Sequence, residues 1–104
     1  MTNEWIAGFF SNGGYFGKQV MGNNLYFHVG IAENNKNLGL INEIMEYLNM
    51  GNIRRKGKDA CQYRINKKKD VKKFINEICP LLKGHKKRLA DNFIKEFIMR
   101  YGQE

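Results

Sequence analysis

Arg54, Lys56, Gln62 and Arg64 stand at alternate positions on either side of the turn residues Gly57-Lys58-Asp59. Alternation of that kind puts all four on one face of a β-hairpin. Guanidinium forks and amides are the groups that bond base edges in pairs, whereas lysines mostly meet phosphates. An earlier predicted hairpin adds Tyr15, Gln19, Tyr26 and His28 on its outward face. Catalytic candidates are sparse by comparison. His28 has no carboxylate at useful spacing and reads as a polar sheet residue. Cys61 and Cys79 form no CxxC and have no histidine at ligand spacing, which argues against zinc and for reduced thiols inside a cell. Met45, Met50 and Met99 read as core and rim packing.

The charge balance agrees with a binding role. Eighteen Lys and Arg against ten Asp and Glu give +8 and a pI near 9.6, which points to polyanions. Residues 51 to 73 hold ten of the cations and only Asp59 and Asp70, so this segment carries the entire net charge. Neutralising phosphates releases counterions, and the segment therefore predicts salt-sensitive binding from a basic surface on two adjacent strands. No apolar run approaches the length of a membrane span, and the N-terminus lacks a signal h-region or an Arg-rich presequence. An intracellular protein is expected. Heavy use of Lys, Asn and Ile suggests an A+T-rich coding genome, such as that of an organelle, a virus or an A+T-rich microbe.

The elements that must position these residues follow from periodicity, and 104 residues are enough for one domain over 1–104. Trp5 to Phe16 reads as a short helix running into a strand, with Ala7 and Gly8 as a patch almost free of side chain that suits a close helical partner. Tyr15 to Met21 and Leu25 to Ile31 form a hairpin around Gly22-Asn23-Asn24, with Phe16, Val20, Leu25, Phe27, Val29 and Ile31 toward the core. Lys18 then points inward, against the pattern. Glu33 to Asn37 is a polar connection. Ile41, Ile44, Met45 and Leu48 mark an amphipathic helix. The second hairpin pairs Ile53 to Lys56 with Cys61 to Asn66. Asp70 opens a helix through Val71, Phe74, Ile75 and Ile78 that Pro80 closes. A last helix from about Lys86 places Ala90, Phe93, Ile94, Phe97, Ile98 and Tyr101 on one side.

The stretch Ile6-Ala7-Gly8-Phe9-Phe10-Ser11-Asn12-Gly13-Gly14, followed by the aromatic strand Tyr15-Phe16, resembles the signature helix of the LAGLIDADG homing endonucleases. Further matches are Gly57-Lys58-Asp59 to Tyr63-Arg64-Ile65, Pro80-Leu81-Leu82, and Lys86-Lys87-Arg88-Leu89-Ala90-Asp91. The resemblance implies an α+β fold, a single α-β-β-α-β-β-α-α repeat with a four-stranded antiparallel sheet shaped as a saddle. It implies a homodimer whose signature helices pack side by side, or a macromolecular partner in place of the second copy, here through Ile6, Ala7, Gly8, Phe10 and Ser11. It also implies a basic residue near the cleavage centre, matched by Lys86 and Lys87. The acid that holds magnesium in the family falls on Gly13, which has no side-chain oxygen.

These observations lead to an expected nucleic-acid-binding protein with no catalytic residue, metal or other cofactor of its own. Its ligand would be double-stranded DNA or structured RNA, bound as a regulator, an intron maturase or a ribosomal RNA-binding component. One alternative is an active homodimeric endonuclease with a non-standard magnesium site. The other is a basic protein-interaction domain that uses the Ala7-Gly8 helix.

Overall fold

The computed structural model describes residues 1–102. Four helices lie on one face of a four-stranded antiparallel sheet, and the other face of the sheet is uncovered. In chain order these are α1 (Asn3–Gly13), β1 (Gly14–Met21), β2 (Asn24–Asn34), α2 (Leu38–Leu48), β3 (Asn52–Lys56), β4 (Ala60–Ile65), α3 (Lys68–Glu77) and α4 (Gly84–Tyr101). Short 3-10 turns at Asn35–Asn37 and Cys79–Leu81 precede α2 and α4. The sheet order is β1-β2-β4-β3, so the two hairpins are joined edge to edge through β2 and β4.

Local chemistry sets the boundaries. Thr2 caps α1 by accepting a hydrogen bond from the Trp5 amide at 3.1 Å. Glu4 therefore lies within the first turn of α1. Asn49 ends α2 in the left-handed conformation, its amide donating to the Met45 carbonyl at 2.8 Å. The expected polar connection from Glu33 begins late, because β2 runs on to Asn34. Gln62, Cys61 and Ala60 of β4 pair with Ala32, Glu33 and Asn34 there, and the ladder continues as long as it has a partner. α4 opens at Gly84, two residues before the sequence places it.

The core lies between sheet and helices. Phe27, Val29 and Ile31 of β2 and Cys61, Tyr63 and Ile65 of β4 meet Ile6, Ala7 and Phe10 of α1, Ile41 and Ile44 of α2, Phe74 of α3 and Phe93 of α4. Phe27 is ringed edge-on by Phe93, Phe97 and Tyr101. Two expectations about this core fail. Val20 alternates to the helical side but is 71% exposed, because the hairpin tip extends past the end of α4's cover. Met99, at 81% exposed, lies on the solvent side of α4. Lys18 does point toward the helices, and the register holds: at the sheet edge it pairs with Glu96 of α4.

Candidate nucleic-acid interface

Directly opposed residues share a face, so the register defines the uncovered surface row by row. Tyr15, Gly30, Arg64 and Asn52 form one row, Ala32, Gln62 and Arg54 a second, and Gln19 with Tyr26 a third. Lys56 and Ala60 pair at the far hairpin. All eight strand residues singled out from the sequence thus lie on this face.

They do not all stand up from it. Gly17 and Gly30 leave shallow floors, and a Cβ on either would collide with the ring lying across it, His28 over Gly17 and Tyr15 over Gly30. Tyr15 and His28 meet edge to face at 5.8 Å, and the Gln62 amide donates to the Tyr15 hydroxyl. His28 is consequently buried. Burial, and secondarily the Arg64 guanidinium nearby, hold its imidazole below the ordinary value of 6.5. Gln19, Tyr26, Arg54 and Lys56 project freely, while Arg64 is half-buried with its Nε lacking a protein partner.

The basic segment does not form one surface. Arg54, Lys56 and Arg64 belong to the open sheet face, but Lys67, Lys68, Lys69, Lys72 and Lys73 begin α3 in the helical layer. The helix expected from Asp70 already takes Lys72 and Lys73 off the strands, and α3 begins two residues earlier, at Lys68, so a charge count over 51–73 overstates the basic strand pair.

Where α1 meets β1, Lys86 reaches back from α4 and donates to the Gly14 carbonyl at 2.6 Å. Lys87 turns away, toward the Cys79 carbonyl at 3.5 Å and Asp91 at 3.4 Å. Gly13 ends α1 close to β2. A Cβ there would lie 3.5 Å from the Ala32 carbonyl and 3.9 Å from Glu33 Oε2. Glu33 is the carboxylate the sequence reading missed, since the separation is twenty residues along the chain and only the fold closes it. Its Oε1 accepts from the Asn34 amide and the Asn37 side chain, both at 3.1 Å. Among the described residues no three His, Cys, Asp or Glu side chains come together as a metal-binding group.

The expected partner surface of α1 needs correction. Ile6, Ala7 and Phe10 are buried in the chain's own core, so they are closed to a second helix. The outer face is Glu4, Gly8, Ser11 and Asn12, beside Leu81. Nothing lies within 4 Å of a Cβ built on Gly8. The Ser11 hydroxyl donates to the Ala7 carbonyl at 2.9 Å, which keeps this face low in polar demand.

Cys61 and Cys79 are buried free thiols, both pushed up chiefly by burial, Cys79 to about 12. Neither is a nucleophile in the folded chain. No helix among the described residues is long and apolar enough to cross a membrane.

Comparison with known proteins agrees with this geometry. The family profile described as LAGLIDADG endonuclease matches residues 6–97. The crystal structure of the homing endonuclease I-TnaI superposes with a TM-score of 0.89 at 20% identity, over 96% of this chain and 74% of that one. The LAGLIDADG meganuclease I-AabMI, bound to uncleaved DNA, gives 0.86 at 22% identity over 96% of this chain. The homing endonuclease I-CvuI, in complex with its target in the presence of calcium, gives 0.80 at 14% over 91%. This chain spans 37% of the I-AabMI chain and 64% of the I-CvuI chain. No curated protein sequence matches.

Proposed function

Because the chain belongs to the LAGLIDADG endonuclease family, we propose that it grips double-stranded DNA in the open face of its sheet, as one half of a two-fold assembly, and does not cut it. A twisted antiparallel ribbon fits the major groove. Arg54, Gln62 and Arg64 would meet base edges there, with Gln19, Tyr26 and Lys56 along the rims. Tyr15 and His28 act from below as packed rings, and the Tyr15 hydroxyl holds the Gln62 amide in place.

The observation that carries the reading is the pairing of this equipped face with Gly13. A magnesium ion activating water or bridging phosphate oxygens needs carboxylates in near-octahedral array. Gly13 supplies none, and Glu33 offers a single oxygen, its other being engaged by two donors. The residues present therefore do not fit the ion as a catalytic cofactor. Lys86 can still neutralise a phosphate near Gly14, which favours binding without scission.

Arg54→Ala with Arg64→Ala should weaken duplex binding by about 2–6 kcal/mol, taking 1–3 for each base-reading contact. It should also make the logarithmic salt dependence less steep by up to about 1.8, for two lost cations. Unchanged affinity excludes this face. Incubating the native chain with its bound duplex and magnesium should leave the phosphodiesters intact; scission by the purified chain refutes the inert reading.

A further inference from the structure

The second half of the basic segment has no role in the sheet face. Lys67, Lys68, Lys69, Lys72 and Lys73 line the start and outer side of α3, a helix anchored in the core by Val71 and Phe74. Among the described residues none of the five is in an ion pair; Lys68 alone has a notable contact, over the Tyr101 ring at 4.6 Å.

Their placement costs the fold something. Lys67 is the N-cap of α3, and Lys68 and Lys69 follow in its first turn, with no side-chain cap. Positive charge there opposes the helix dipole, and Asp70 is the acid in the first turn that offsets it. An open cleft of about 330 Å³ adjoins Lys67 and Lys69, lined also by Asn49, Asn66, Asp70 and, at the rim of the sheet face, Asn52; its amides suit sugar and phosphate oxygens.

We propose that this flank of α3 is a second nucleic-acid surface, which holds another duplex through its phosphates while the sheet face holds the first. Lysines at i and i+4 rise about 6 Å along the helix, close to two phosphate steps of about 3.4 Å along one strand. Lysine without arginine suits phosphate contact without base reading. The chemistry disfavours a membrane, because the apolar side chains of α3 face inward and leave nothing to insert. The inference takes the sheet face as the first site, so the chain would bridge two duplexes.

Short random-sequence duplexes carrying donor and acceptor dyes are mixed with the full chain, and energy transfer between them reports bridging. The native chain should give transfer. Lys67→Gln, Lys69→Gln and Lys73→Gln together should reduce it sharply and make the salt slope of the second binding step shallower by up to about 2.7, while one duplex stays bound and thermal melting confirms folding. Three results overturn the proposal: no transfer with the native chain, transfer undiminished in the triple variant, or displacement of the second duplex by phosphatidylserine vesicles. Failure of the sheet-face reading is distinct, because it appears as unchanged first-duplex affinity in the Arg54→Ala, Arg64→Ala variant.

Discussion

At Gly13 a new side chain would begin 3.9 Å from the Glu33 carboxylate, so the position is vacant yet already faces an anion. Restoring an acid there would set two carboxylates side by side, and like charges at that range raise a pKa. Gly13→Asp should be less stable than the neutral isostere Gly13→Asn at pH 7 by about 1 kcal/mol, the worth of roughly one pKa unit. Thermal melts should show the gap closing at pH 4, on adding magnesium, or when Glu33→Gln is combined with it. A gap indifferent to all three would mean that the two positions do not interact. His28 makes a separate prediction. Its folded pKa lies below 6.5, so the stability that goes with the neutral ring is complete above 6.5 and is lost as pH falls from there through the folded value. Melting temperature should drop over that acid window in the native chain and drop less in His28→Gln; parallel curves would remove His28 as the cause.

The helix α1 shows what one-dimensional reading can and cannot give. Its existence and its small-residue patch follow from the sequence, yet three of the five residues assigned to a partner surface turn inward. Ala7 and Gly8 are adjacent and so about 100° apart around a helix; only one of them can face out, and the sheet beneath decides which. Strand alternation is more legible, because a two-residue period admits only two answers and Phe27, Val29 and Ile31 choose between them. Glu33 was hidden for a different reason: contact between β2 and the end of α1 is tertiary. Gly8→Leu exploits the outcome. With no atom within 4 Å of the new Cβ, the fold should keep its stability or gain up to about 1 kcal/mol from helix propensity. Association through α1 should be lost, visible as a shift to the monomer mass in sedimentation. A destabilised monomer, or an unchanged mass distribution in a protein that otherwise associates, would place the partner elsewhere.

The chain measures 38 × 33 × 24 Å, and β2, with eleven residues at about 3.4 Å each, is close in length to the longest of these dimensions. One turn of B-DNA is about 34–36 Å. A single sheet can therefore follow the major groove for about one turn, and its uncovered face carries too few free side chains to define a longer site. Two copies related by a two-fold axis through α1 would place their sheets end to end, each reading the same sequence in opposite sense. This predicts a nuclease-protection footprint of about two helical turns, with bases recovered by selection from a random pool arranged as an inverted repeat. The Gly8→Leu variant should shrink that footprint to about one turn and bind far more weakly, because it loses the gain from engaging two half-sites at once. A one-turn, asymmetric footprint from the native chain would mean that the sheet binds alone, and would remove the two-fold assembly from the account while leaving the Arg54 and Arg64 face intact.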